Sequence, residues 1–251
     1  MKIIKFTKKK DGQYLLLLEY DRKLTLHEDL ILKEELLIKK EITEEDIIRL
    51  LFENNNYLAY DSAIKYIGIK MRSVFELQEY LKKKEVDNKV IEETIGKLIN
   101  QGYLNDKTYS NSYVNDRITL SNDGPLKITN FLIKNKIDND IVEEAISKYS
   151  KDIELEKINK IINKQIKQNT NKGSHLLKQK ITSDLVNRGY HKELIVQSFS
   201  EFEFDDSNLY KKEYQKLYDK LSKKYSGKEL EYKIKQKLYQ KGFTNINVNF
   251  E

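Results

Sequence analysis

The chain has 251 residues, enough to bury a core. It holds no cysteine, one proline and nine glycines with 34% charged residues, which excludes a disulfide framework, a thiolate nucleophile and a zinc–thiolate site and favours long helices. Lysine outnumbers arginine 41 to 5, a bias that an AT-rich coding sequence would impose, so the total says little and the placement says more. Residues 1–150 carry 25 basic and 26 acidic side chains, net −1, whereas residues 151–251 carry 21 and 14, net +7.

The first residues, MKIIKFTKKKDGQ, lack the apolar run and small-residue cleavage site of a signal peptide. The longest strongly apolar stretch, Leu15 to Leu18, is far too short for a bilayer, so a cytoplasmic protein is expected. KIIKFT and YLLLLEY flank a turn signal at Asp11-Gly12, and LTLHEDLIL follows as a candidate third strand. A small β element is predicted over 1–42.

From Thr43 the hydrophobic period changes from two to 3.6. Thr43 and Asp46 have capping spacing, with Ile47, Ile48, Leu50 and Leu51 as an apolar face, and a second helix is predicted from Tyr57 to Ile67. Ser73 with Glu76 three residues on forms a capping box that opens the next helix.

That helix belongs to an internal repeat. Aligned on Glu85, Lys136, Gly189 and Gly242, the residues eight positions earlier are Leu77, Ile128, Ile181 and Ile234, and those four earlier are Leu81, Leu132, Leu185 and Leu238. One position later stand Val86, Ile137, Tyr190 and Phe243, and six later Ile91, Val142, Ile195 and Val248. The pattern describes a helical stripe, a stop, a plug for the turn and the opening of a partner helix. Gly189 and Gly242 suit a left-handed position after the helix, while Glu85 and Lys136 imply strained or differently shaped turns. Spacings of 51 to 53 residues fit three helices per unit, which places the remaining helices at 106–120, 152–168 and 206–225. Pro125, after Gly124, opens the second copy where a missing N–H costs nothing. The predicted fold is mostly α, an elongated tandem array of three-helix repeats with a small N-terminal β element, divided at 1–42, 43–104, 105–150, 151–204 and 205–251.

No phosphate-binding, dinucleotide, zinc-protease or nucleophile-elbow motif is present, and His27, His175 and His191 are not spaced as metal ligands. No enzymatic activity, metal or cofactor is expected. The acidic pairs Glu92-Glu93 and Glu143-Glu144 do not face each other at i, i+1 and read as solvated helix faces. Between Lys157 and Lys192, nine basic residues accompany the single acid Asp184, an excess suited to phosphates or to an acidic protein face. Seventeen tyrosines include Tyr103, Tyr109 and Tyr113 near Asp106, Asn111 and Arg117. Such residues anchor protein interfaces or stack on bases, though Tyr109 and Tyr113 at i, i+4 also suit inward packing.

The stretch MRSVFELQEYLKKKEVDNKVIEETIGKLINQGYLNDKTYSNSYVNDR, followed by GPLKITNFLIKNKIDNDIVEEAI, resembles the RecX family of bacterial RecA regulators. The family's ordered motif falls on Arg72, Ser73, Glu76, Leu77, Leu98, Gly102, Tyr103, Leu104, Asp106, Tyr109, Tyr113, Gly124 and Pro125, with Lys70 in place of a first arginine and Glu85 in place of a glycine. The specific match covers about residues 57–150, and the weaker repeats beyond it look like the longer form of the family. The resemblance implies a non-enzymatic protein, expected as a monomer, that binds RecA filaments on single-stranded DNA along their groove and inhibits growth, ATP hydrolysis, recombination and co-protease activity. Lys70, Arg72, Tyr109, Tyr113 and Arg117 are the candidate filament contacts. Lys157, Lys160, Lys164, Lys167, Lys172, Lys178 and Lys180 are candidates for DNA, single- or double-stranded, or for an acidic surface. Ser73, Glu76, Leu77, Leu81, Asp106, Gly124, Pro125, Gly189 and Gly242 are read as structural. A sequence-independent DNA-binding helical repeat protein is the alternative.

Overall fold

A computed structural model describes residues 1–10 and 12–244. Asp11, half of the expected turn signal, and Val248, the last repeat position, lie outside the described residues. Three antiparallel strands in the order β1 (Ile3–Lys8), β2 (Gln13–Leu18) and β3 (Lys23–His27) form one sheet. The third strand is shorter than LTLHEDLIL, because the chain turns at His27 into helix α1 (Glu28–Lys33); His27 Nδ1 accepts the Asp29 N–H at 3.2 Å and so caps that helix.

Helix α2 (Glu44–Ile67) begins at the expected Thr43–Asp46 capping box, but it runs unbroken for 24 residues instead of dividing before Tyr57. No glycine or proline interrupts it. Asn54 in its middle is buried, accepting the His27 N–H at 2.7 Å and donating to the Thr25 carbonyl at 3.4 Å. A polar residue that satisfies a strand edge therefore extends the helix where the sequence suggested a gap. The buried face is Ile47, Leu50 and Asn54, and Ile48 and Leu51 are exposed. Ile47 and Leu50 close the first core with Leu16, Leu18, Leu24 and Leu26 of the sheet.

The remaining helices are α3 (Val74–Lys83), α4 (Asn88–Asn100), α5 (Asp106–Leu120), α6 (Pro125–Lys134), α7 (Asn139–Ile146), α8 (Lys151–Lys167), α9 (Ser174–Asn187), α10 (Lys192–Phe199), α11 (Ser207–Leu221) and α12 (Gly227–Gln240). The helices expected at 106–120, 152–168 and 206–225 are α5, α8 and α11. The chain forms two compact units: one comprises Met1–Tyr109 with Asn135–Ile137, the other Ser110–Lys134 with Asp138–Glu251. In the first, Leu77, Leu81, Ile91 and Leu98 pack with Ala63 of α2. In the second, one core gathers Ile158, Ile162, Ile181, Leu185, Tyr190 and Ile195, and another gathers Tyr210, Leu230, Ile234, Leu238 and Phe243.

Every stripe residue of the four aligned copies is buried, at 0–2% exposure. Burial of each such side chain is worth roughly 1.5–3 kcal/mol relative to exposure, so these eight positions hold the helix pairs together. All four stop residues have positive φ: Glu85 61°, Lys136 58°, Gly189 85° and Gly242 89°. Glu85 and Lys136 thus adopt the left-handed turn that glycine adopts elsewhere. The turn bonds repeat too: Val86, Tyr190 and Phe243 donate N–H groups to the carbonyls of Leu81, Leu185 and Leu238 at 3.2, 3.1 and 3.1 Å.

Candidate functional site

The structural motif residues do two jobs. Ser73 accepts the Glu76 N–H at 3.1 Å, and Glu76 in turn accepts the Ser73 N–H at 3.1 Å, closing the capping box. Asp106, first residue of α5, accepts the Val74 N–H at 2.9 Å; desolvation by burial pushes its carboxyl above the usual aspartate range, and that hydrogen bond opposes the shift. Thirty-two residues after Ser174, Asp206 repeats the device, accepting the Ser174 N–H at 2.9 and 2.7 Å. Pro125 occupies the corresponding first helical position of α6 and has no N–H to place.

Gly124 and Gly173 make the closest joints between successive helix sets. The Gly124 N–H donates to the Arg188 carbonyl at 2.7 Å and the Leu126 N–H to the Gly189 carbonyl at 3.0 Å. A side chain at Gly124 would stand 2.5 Å from the Gly189 backbone, and one at Gly189 2.4 Å from the Lys127 nitrogen. Gly173 meets Gly242 in the same way, with its N–H 2.8 Å from the Lys241 carbonyl. The turns are therefore also docking surfaces for the preceding helix start.

The filament candidates do not share one surface. Lys70 is exposed. The Arg72 guanidinium lies 4.1 Å from the Tyr66 ring centre and pairs with Glu76 at 3.3 Å, while Tyr66 stacks on Tyr80 at 3.9 Å. Arg72 is thus committed to a local stack. Tyr109 is only 7% exposed and is core rather than surface. Tyr113 is half-buried, stacked on Phe131 at 4.4 Å, and the Arg117 guanidinium sits 4.8 Å from its ring. Arg117 also faces Asp123 at 3.7 Å, and Asp123 pairs with Lys127 at 2.6 Å. Tyr103 is exposed and apart from the buried Tyr109.

The basic segment separates into structural and available lysines. Lys157 donates to the carbonyls of Ser121 at 2.8 Å and Arg117 at 3.3 Å, so it seals the end of α5. Burial holds its amine below the usual lysine range, against the pull of Asp123. Lys178 lies over the Phe204 ring at 4.3 Å. Lys160, Lys164, Lys167 and Lys180 are exposed. Lys172 sits in the loop between α8 and α9, whose shape is fixed by Asn169: its Oδ1 accepts the Lys172 N–H at 3.1 Å and its Nδ2 donates to the Lys172 carbonyl at 2.6 Å.

Lys164, Lys172 and Lys180 converge with Arg188 on a cleft of about 460 Å³ lined also by Gln165, Gln168, Asn169, Thr170 and Asn171. Asp184 is its one acid, tied to Arg188 at 3.0 Å and to Gln165 at 2.7 Å. Lys164, Lys172 and Lys180 form no ion pair among the described residues. Sequence reasoning named the three lysines but missed Arg188 and the amides. The signal was available, since Arg188 is one of only five arginines. Also missed was Glu154, buried and accepting the His191 N–H at 2.8 Å. It sits four residues before Ile158, an acid on an apolar stripe. Among the described residues no cluster of His, Cys, Asp and Glu could hold a metal, and no helix is long and apolar enough to cross a membrane.

Three-helix sets closed by left-handed turns, docked start to turn and bearing a basic cleft, define a helical-repeat binding protein. The model of the first three-helix domain of RecX matches residues 59–98. The regulatory protein RecX of Bacillus cytotoxicus is 33% identical over 186 residues, 73% of this chain and 68% of that protein. The chain belongs to the RecX family of regulatory proteins. A crystal structure of regulatory protein RecX superposes with a TM-score of 0.66 at 21% identity, covering 80% of this chain and all of the other, a likeness of fold. RecX from Lactobacillus salivarius gives 0.55 at 27% identity over 59% of this chain and 97% of its own.

Proposed function

We propose that this chain is a non-enzymatic, cytoplasmic regulator of the RecA recombinase, acting as a monomer on RecA filaments assembled on single-stranded DNA. The observation that carries the reading is family membership across most of the chain, from which RecA is the expected partner. The repeat construction supports it. Three-helix modules bounded near 43–104, 105–150, 151–204 and 205–251 offer several separate surfaces, and weak contacts made by linked modules reinforce one another through effective concentration.

The mechanism is differential binding. The protein prefers one state of the filament, at its end or along its groove, and thereby shifts the balance from growth toward arrest or disassembly. Exposed Lys70 and the Tyr113–Arg117 pair are the protein-contact candidates that remain at the surface; Arg72 and Tyr109 support them from within.

A titration of RecA's DNA-dependent ATP hydrolysis and co-protease activity tests the reading. Inhibition is expected at substoichiometric ratios to RecA and steeper on filaments still growing than on filaments already complete. No effect at equimolar protein would overturn it.

A further inference from the structure

We infer that the cleft between α8 and α9 binds the phosphate backbone of a nucleic-acid strand and ignores its bases. The inference deepens the regulator reading above and rests on it only for the setting, since the chemistry is local.

Three observations carry it. First, the cations converge: Lys164 from α8, Lys172 from the intervening loop, and Lys180 and Arg188 from α9 line one cleft of about 460 Å³. Second, their charge is uncommitted, for the three lysines have no acidic partner among the described residues, while Asp184 holds Arg188 in place at 3.0 Å. Lysines 157 and 178 of the same segment are spent on carbonyls and on a ring, so the cleft is where the excess charge is free. Third, the rest of the wall is amide and hydroxyl, and no aromatic side chain lines it. Sequence-tolerant base binding relies on aromatic stacking platforms. A wall of ammonium, guanidinium and carboxamide donors instead matches phosphate and sugar oxygens. An acidic protein face shares the charge but not the regular phosphate spacing or the need for amide donors beside it.

The test measures binding of the full chain, without RecA, to a fluorescent dT oligomer, to an abasic oligomer of equal length and to polyglutamate, at several salt concentrations. Two charge-matched triple variants are compared: Lys164→Gln/Lys172→Gln/Lys180→Gln in the cleft, and Lys211→Gln/Lys212→Gln/Lys220→Gln on exposed positions of α11. Each phosphate neutralised on a single strand contributes about 0.7 to the log–log salt slope. The cleft variant should therefore lose about 2 from the slope, which between 50 and 200 mM salt is a difference of roughly 15- to 20-fold in salt sensitivity. The α11 variant should keep most of the wild-type slope, and the abasic oligomer should bind like dT. Equal losses in both variants, a strong preference for dT, or equal binding to polyglutamate would each overturn the inference. Co-sedimentation of the wild type with RecA filaments, run alongside, reports on the regulator reading separately.

Discussion

Gly173→Ala is the sharpest test of the joint between helix sets. Gly173 has φ −66° and ψ 159°, which alanine adopts freely, so backbone strain plays no part. An added methyl would stand 2.4 Å from the Gly242 carbonyl atoms and 2.5 Å from the Phe243 nitrogen. Carbon contacts are optimal at roughly 3.5–4.0 Å, so about 1 Å must be recovered, and all three obstructing atoms are backbone. Overpacking of this kind costs about 1–3 kcal/mol, and alanine is also the poorer helix cap by up to ~1 kcal/mol. The reduced freedom of the unfolded chain returns about 0.4–1 kcal/mol. The net expectation is a loss of ~1–3 kcal/mol and faster hydrogen exchange at residue 173, whose N–H now bonds to Lys241 at 2.8 Å. Gly96→Ala in α4 is the control, because no atom lies within 4 Å of its added methyl; it should stabilise by up to ~1 kcal/mol. Urea denaturation of both variants decides the matter. A gain in stability for Gly173→Ala equal to that of Gly96→Ala would refute the joint.

Glu85→Gly should raise stability by about 1 kcal/mol, since the left-handed turn at φ 61° disfavours a side chain, and thermal melts would show it. Asp106 has a carboxyl pushed up by burial, so the folded chain holds its proton more tightly than the unfolded chain does. Its contribution is therefore fully present below the ordinary aspartate value and lost as pH rises through the raised one. Asp106→Asn, which keeps an acceptor for Val74, should flatten that part of the stability–pH curve, and urea midpoints between pH 3 and 7 would reveal it. Lys157→Met should cost ~1–3 kcal/mol by leaving the Arg117 and Ser121 carbonyls short of a donor; it should leave salt-dependent DNA binding nearly unchanged, unlike substitutions in the cleft.

The repeat was readable because its period is enforced by burial. Leu77, Ile128, Ile181 and Ile234 all sit in cores, and any polar residue there would have broken the pattern. The left-handed stops were readable at Gly189 and Gly242 and hidden at Glu85 and Lys136, where turn geometry set by packing overrides local preference. The unbroken α2 was not readable. Three consecutive asparagines look like a loop until Asn54 is seen bonding to β3, a long-range contact without local trace. Much the same applies to the candidate site. Charge density marked the 157–192 segment, but nothing in the spacing separated Lys157, which seals a helix end, from Lys164, which faces a cleft. The Tyr109–Tyr113 pair was legible as i, i+4 neighbours, yet only the fold shows that Tyr109 is interior.

The central claim is recognition of an assembled RecA filament. Co-sedimentation with filaments locked on single-stranded DNA by a non-hydrolysable ATP analogue tests it most directly, with bare DNA and free RecA as controls at two salt concentrations. The account predicts that the protein pellets with the filament, retains that binding at moderate salt and binds free RecA far more weakly. Equal binding to bare DNA and filament, both lost together as salt rises, would contradict it.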